Sequence, residues 1–285
     1  MQMVNRKTKK ETELKYSKSV KFLYNNFFGR IILKLISNRF VSNIVAKYMN
    51  SKLSIKRIDK TIRENNIDMN LFEKKDYQSF NDFFLRKKKT LNFDMVNDHF
   101  VSPCDSKLLV MKLNSDASFD IKGSVYTLKD IIDKDLTREY QNGYALIFRL
   151  EVTDYHHYHF IDDGTLDNYK YIKGCLHTVQ PIAYEKIKVF HKNAREYTTL
   201  HTKNFGDIIE VEVGAMMVGK IVNNKEITNF KKGDEKGYFE FGGSTIILFV
   251  KENSLIIDDD ILLNSTFGKE TIVLCGEKIG IKKKR

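Results

Sequence analysis

The stretch Gly237-Tyr238-Phe239-Glu240-Phe241-Gly242-Gly243-Ser244-Thr245-Ile246-Ile247-Leu248-Phe249-Val250 sets two glycines and a hydroxyl in front of an unbroken apolar run. A run this rich in β-branched and aromatic residues, entered from a flexible turn, predicts a buried strand. Glycine adopts backbone conformations that other residues resist, so the turn can be strained and a carbonyl presented to the next side chain. For a lone Gly-Gly-Ser an ordinary hairpin turn is the simpler account. Moving outward, Tyr144-Ala145-Leu146-Ile147-Phe148-Arg149-Leu150 and Asp207-Ile208-Ile209-Glu210-Val211-Glu212-Val213 have the same character and are separated by Gly, Asn and Asp. The second half of the chain therefore reads as mainly β.

Upstream the periodicity changes. Between Ile58 and about Asp98 the chain looks helical and polar, with Phe80, Phe83 and Phe84 forming the apolar face of one short helix capped by Ser79 or Asn81. Earlier still, Phe22, Leu23, Phe27, Ile31, Leu35 and Ile36 recur at helical spacing, continued by Val41, Ile44, Val45 and Tyr48. The fold class expected is α+β, with N-terminal amphipathic helices followed by a mainly β domain. The charge shift places a boundary between a basic helical region, 1–62, and the remainder, 63–285.

The 285 residues carry a formal charge of +11, and 42% hydrophobic residues suffice for a substantial core. The charge is concentrated. Residues 1–60 hold fifteen Lys and Arg against three acids, leaving the other 225 near neutral at −1. A basic appendage on a neutral body is drawn to an anionic surface, either lipid headgroups or nucleic acid. Here bulky apolar residues interleave with Lys21, Arg30, Lys34, Arg39 and Lys47, which suits an interfacial amphipathic helix better than a groove-reading one. A helix packed on its own domain is the plainer alternative. The expectation is a peripheral protein on the cytoplasmic side of the cell membrane, with no nucleic-acid partner. No apolar run approaches the roughly 18 residues of a transmembrane span, and no signal-peptide pattern occurs. Cys104, Cys175 and Cys275 are odd in number and widely spaced, which suits a reducing compartment and no disulfide framework.

Three of the seven histidines fall in Asp154-Tyr155-His156-His157-Tyr158-His159. On a strand, alternation puts His157 and His159 on one face and His156 on the other. Neither an HExxH helix nor a cysteine pair accompanies them, so no metal is expected. Ser102-Pro103-Cys104-Asp105-Ser106-Lys107 places an acid in a turn before Leu108-Leu109-Val110, which alone says little.

Together these segments resemble the phosphatidylserine decarboxylases. In that family a Phe-Phe-x-Arg helix, a Ser-Pro-x-Asp turn, a Tyr-His-x-x-His segment and a late Gly-Ser-Thr follow in this order. Phe83-Phe84-Leu85-Arg86, Asp105, His156 with His159, and Gly243-Ser244-Thr245 do so here. Val179-Gln180-Pro181-Ile182-Ala183, Asn193-Ala194-Arg195-Glu196, Val213 to Ile221 and Lys232 to Gly237 are similar to the connecting sequence, so the resemblance spans about residues 65–275. His157 stands where Arg is usual, Ile161 where Pro is common and Ser106 where Gly often follows the Asp. None replaces a residue given a chemical role.

The resemblance implies a self-processing proenzyme. The Ser244 hydroxyl would attack the Gly243 carbonyl, helped by His159 as base and Asp105 as its orienting acid. β-Elimination would then leave a pyruvoyl group at residue 244, separating a β chain of residues 1–243 from an α chain of residues 244–285. The pyruvoyl carbonyl would form a Schiff base with the amine of phosphatidylserine and act as the electron sink for decarboxylation, with His156 as proton donor, giving phosphatidylethanolamine in phospholipid biosynthesis. Region 63–285 is then the catalytic domain and 1–62 the membrane-docking region. The readings left beside this one are a pyruvoyl decarboxylase of a small soluble amino acid, a serine hydrolase using Ser244, His159 and Asp105, and a non-enzymatic membrane-binding module. Formation of a homo-oligomer is left open.

Overall fold

The computed structural model describes the chain except for residues 185, 216–219, 242–243 and 285 and the side chain of Arg39. At its centre the strand Ser244–Val250 is hydrogen-bonded along its length to Gly206–Gly214 on one side and Tyr144–Leu150 on the other. From there an eleven-stranded sheet extends one way through Arg195–Thr202, flanked by Lys170–Ile172, to Gly164–Leu166 and Asn229–Phe230. The other way it passes through Ser106–Lys112 and Glu270–Val273 to Gln2–Asn5 and Glu11–Glu13.

Strand alternation divides the interior. Ile247 and Phe249 enter one core with Leu109, Ile147, Ile209 and Val211, while Ile246, Leu248 and Val250 enter another with Leu108, Phe148, Ile208 and Phe239. Both faces are covered, which is why the central strand reads as a continuous apolar run. A smaller sheet of Ile221–Asn223, Glu235–Phe239 and His157–His159 lies over the second core, into which Tyr158 and Phe239 are buried.

The amphipathic region folds as three short helices, α1 (Lys18–Asn25), α2 (Phe27–Ile36) and α3 (Arg39–Met49). Two asparagines make the breaks. Asn26 Oδ1 accepts from the Phe28 N–H and Asn38 Oδ1 from the Phe40 N–H, each at 2.9 Å, so each side chain starts a new helix. At Gly29 a Cβ would lie 2.0 Å from the Phe22 carbonyl oxygen, and the α1–α2 corner closes only with glycine there. Tyr24 and Leu33 face the main core, whereas Phe27, Phe28, Leu35 and Phe40 are each more than 60% exposed. Packing on the chain's own domain therefore accounts for only one side of these helices.

The first residues depart from the helical expectation for 1–62. Gln2–Asn5 adds in parallel to Glu270–Val273 and Glu11–Glu13 folds back on it, covering an otherwise open sheet edge. Farther along, Met49 and Ile58 share a core with Phe72, Phe80, Phe83 and Phe84, so apolar packing runs across the boundary expected at 62–63. No helix among the described residues is long and apolar enough to cross a membrane.

Candidate active site

The sheet register assembles the site at one end. Ser244 lies opposite Gly214 on one neighbour and Leu150 on the other, and one residue further in, Thr245, Arg149 and Lys107 form a row. Asp105 immediately precedes the strand carrying Lys107, and the histidine segment follows the strand carrying Leu150. Ser244, Asp105 and the histidines are thus delivered to the same end of the sheet. Two strand spacings, about 10 Å, separate the Ser244 backbone from the strand that Asp105 leads into. Gly243 lies outside the described residues.

Alternation places the histidines as their spacing predicts. Tyr155 stacks on both His157 and His159, on one side of the segment. His156 lies on the other side, fully buried, its ring 3.7 Å from that of Phe84. Phe84 also meets Phe241, two residues before Gly243, so an aromatic contact links His156 to the segment leading into Ser244. Burial and the nearby Arg86 charge hold His156 well below the ordinary imidazole range, so it is neutral.

His159 is fixed by backbone on two sides. Its N–H donates to the Pro103 carbonyl at 2.9 Å, which ties it to the turn that holds Asp105. Its Nδ1 lies 3.0 Å from the Gly233 carbonyl. A carbonyl only accepts, so Nδ1 carries the hydrogen; burial lowers the ring's pKa, and the neutral ring then has its lone pair on Nε2. That nitrogen is buried and has no partner among the described residues.

Asp105 does not make the hydrogen bond to His159 that the relay expects. Its carboxylate holds the Lys88 ammonium at 2.6–2.7 Å and accepts from the Cys275 N–H at 2.9 Å. Lys88 in turn lies 5.5 Å from the centre of the Tyr155 ring. Tyr155 therefore has His159 on its ring and the Asp105-bound Lys88 beside it, and the Gly233 carbonyl orients the His159 imidazole.

Arg86 gives the Phe-Phe-x-Arg segment its structural purpose. Buried over the rings of Phe72 and Phe83, it donates to the carbonyls of Val152, Thr153 and Asp154, the turn that leads into His156. Asp154 is held by Lys107 at 2.7 Å and accepts from the Glu151 N–H. Sequence reasoning missed Lys88 because it sits in Arg86-Lys87-Lys88-Lys89, a run that reads as a solvated face. Gly233 carries no sequence signal for its part in holding His159, since a backbone carbonyl acceptor leaves no residue-type signature.

Fourteen buried side-chain polar atoms lack a hydrogen-bond partner among the described residues. Six of them are Ser106 Oγ, both ring nitrogens of His156, His159 Nε2, Ser244 Oγ and Thr245 Oγ1. Buried polar groups are ordinarily paired, so this concentration makes the end of the sheet the candidate site. No group of three or more His, Cys, Asp or Glu side chains that could hold a metal ion occurs among the described residues. Burial pushes the thiols of Cys104 and Cys275 well up, away from nucleophilic thiolates.

Residues 80–281 match the family described as phosphatidylserine decarboxylase. The chain is 52% identical to phosphatidylserine decarboxylase proenzyme 2 of Clostridium acetobutylicum, over 92% of this chain and 91% of that protein. It is 46% identical to a phosphatidylserine decarboxylase proenzyme of Clostridium botulinum, over 93% of each chain. With that of Clostridium tetani it shares 44% identity, over 98% of this chain and 97% of its relative. Agreement of this extent leaves no place for the serine-hydrolase or non-enzymatic readings: the chain belongs to the phosphatidylserine decarboxylase family, carboxy-lyases that convert phosphatidylserine to phosphatidylethanolamine in phospholipid biosynthesis.

Proposed function

We propose that Ser244, His159 and His156 divide the family's chemistry between them, first cutting the chain and then decarboxylating phosphatidylserine. The observation that carries this is the set of unpartnered buried polar atoms on these three residues at one end of the sheet. In the first step the His159 Nε2 lone pair takes the Ser244 hydroxyl proton as Oγ attacks the Gly243 carbonyl, and returns it to the Ser244 nitrogen as the C–N bond breaks, exchanging the peptide bond for an ester. Loss of the Ser244 α-proton then expels the Gly243 carboxylate and leaves dehydroalanine. Water releases ammonia from it, and residue 244 becomes a pyruvoyl group.

The residues present suit that group, because a fully buried serine heads a strand anchored on both sides. Once formed, the pyruvoyl carbonyl supplies the electron sink that receives the electron pair released with carbon dioxide. His156 handles the protons. Neutral in its buried site, it accepts one from the lipid ammonium and returns it to the carbon that carbon dioxide has left. Chain cutting need not separate the pieces, since residues 244–250 keep strand partners on both sides.

The exposed apolar side of α2 and α3, flanked by exposed Arg30, Lys34 and Lys47, supports docking on the cytoplasmic, anionic face of a membrane as a peripheral protein. Intact-mass analysis together with carbon dioxide release from phosphatidylserine vesicles tests the whole reading. A chain that decarboxylates while Ser244→Ala keeps it uncut would overturn it.

A further inference from the structure

A cavity of about 410 Å³ begins at Gly214, the residue directly opposite Ser244 on the neighbouring strand. Ser244 shares strand parity with Ile246 and Leu248, and Glu212 and Gly214 of the partner strand lie on that same face. A Cβ at Gly214 would sit 3.3 Å from Leu176 Cδ2, another wall of the cavity. The remaining walls include Glu196, Lys220, Asn223 and Lys225.

The charges in this cavity are unevenly satisfied. Lys225 is paired with Glu196 at 2.9 Å, and Glu196 also accepts from Asn223 Nδ2 at 2.9 Å. The Asn223 side chain is braced by the Tyr158 hydroxyl, from the residue between His157 and His159. Lys220 is exposed and has no acceptor for its ammonium among the described residues. Its carbonyl accepts from the Glu240 N–H at 3.0 Å, which holds the Lys220 backbone beside the segment that runs into Ser244.

The cavity also borders the membrane-facing helices. Asn43 of α3 forms part of its rim, and the Leu176 N–H donates to the Ser37 carbonyl between α2 and α3. Phe40 and Ile44, on either side of Asn43 in sequence, are 71% and 53% exposed. A lipid with its tails against that apolar surface can direct its headgroup inward past Lys220 toward residue 244.

We propose that this cavity is the headgroup subsite and that Lys220 binds the phosphodiester of the lipid, leaving the headgroup amine to reach residue 244. The assignment rests on the proposed role of Ser244 and adds a specificity residue outside the machinery of chain cutting. A single phosphodiester anion complements Lys220, the cation among the described lining residues that Glu196 does not neutralise.

The test uses Lys220→Ala in the full chain, with dispersed dihexanoyl phosphatidylserine as substrate, so that vesicle binding does not enter. Intact mass is read first in both proteins. KM should rise at least tenfold with kcat within about twofold, while the 42-residue fragment forms normally and Lys220→Arg largely restores KM. Glycerophosphoserine should inhibit the unsubstituted enzyme and lose at least tenfold in potency against Lys220→Ala, whereas free serine should show no such difference. A cut chain with unchanged KM in Lys220→Ala overturns the subsite alone. So does a KM rise confined to Lys89→Ala, which would place the headgroup in the separate groove beside Asp105. Failure of the unsubstituted chain to be cut overturns the Ser244 reading itself.

Discussion

Arg149 is buried against Glu270, with Nε 2.8 Å from Oε1, and the two residues lie on opposite sides of the Gly243–Ser244 bond in sequence. The N-terminal strand adds to the same seam, since Gln2–Asn5 pairs with Glu270–Val273 and Arg6 reaches Asp258, Asp260 and Glu277. Residues 244–285 are thus fastened to the rest of the fold by backbone pairing and by ion pairs of different burial.

Glu270→Gln should weaken this fastening sharply. Arg149 would keep Glu151 at 2.7 Å but lose its bidentate, fully buried partner. Breaking a buried pair from one side costs ~3–5 kcal/mol, and the remaining carboxylate puts this case near the lower end. Urea unfolding of the cut protein should show the loss, with earlier release of the 42-residue piece by native mass spectrometry. An unchanged midpoint would remove the pair from the account of how the pieces stay together.

Ser244→Ala should give one full-length, inactive chain, because both the attacking oxygen and the pyruvoyl precursor are gone. His159→Ala should slow cutting by about 10²–10⁴-fold, the usual contribution of a positioned base. Asp105→Asn should also slow it, by a different route from the one the resemblance implied. Asparagine can still accept from the Cys275 N–H, yet it leaves the half-buried Lys88 ammonium without its counterion beside Tyr155. Lys88→Met should therefore reproduce the Asp105→Asn defect. Fragment formation followed by mass spectrometry decides this, and normal cutting in Lys88→Met would return Asp105 to a direct role on His159.

Much of this arrangement is legible in residue patterns. The continuous apolar run after Ser244 and the period-two alternation through Tyr155 to His159 are local signals, and both appear as strands or strand-like segments with the expected faces. Asn26 and Asn38 could have divided the amphipathic stretch, since each begins a helix by capping it. What the sequence hides is long-range choice. Nothing local indicates that Lys88 selects Asp105 across 17 positions, that Gly233 supplies a carbonyl to His159, or that residues 2–5 pair with 270–272.

The pH dependence of cutting should report the burial of His159. Its pKa lies below the usual 6.5, so the free base persists to lower pH than an exposed imidazole would allow. The rate should hold constant from pH 7 down past 6.5 and fall only below it. Stability follows the same sign. In the window below 6.5 the unfolded chain binds more protons at His156 and His159 than the fold does, so stability drops as pH falls. A cutting rate with its midpoint at or above 6.5 would remove His159 as the base.

The exposed apolar side of α2 and α3 should act independently of the chemistry. Replacing Phe27, Phe28 and Phe40 together by Ser removes rings that are 65%, 69% and 71% exposed, so the melting temperature should barely change. A phenyl group carried into lipid contributes up to ~1.5–3 kcal/mol, so binding to anionic vesicles should weaken at least tenfold. High salt should weaken what remains by screening the basic residues. Co-sedimentation unchanged by the triple substitution would refute docking through this side.

His156 should be separable from chain cutting, and the choice of substitution matters. His156→Ala would leave a hole beside Phe84, whose ring lies 3.7 Å from the imidazole, and could disturb the Phe84–Phe241 contact near the cleavage point. His156→Phe keeps an aromatic ring, slightly larger, against Phe84 and removes the two nitrogens, neither of which has a hydrogen-bond partner among the described residues. That variant should yield the 42-residue fragment at a normal rate, since the base proposed for cutting is His159. Its decarboxylation should fall by about 10²–10⁴-fold, because no group remains to take the proton from the lipid ammonium and return it to carbon. Fragment yield and carbon dioxide release must be read on the same sample. If cutting fails equally in His156→Phe, the two histidines act together in one step; if decarboxylation continues at full rate, the proton comes from elsewhere and His156 is a packing residue.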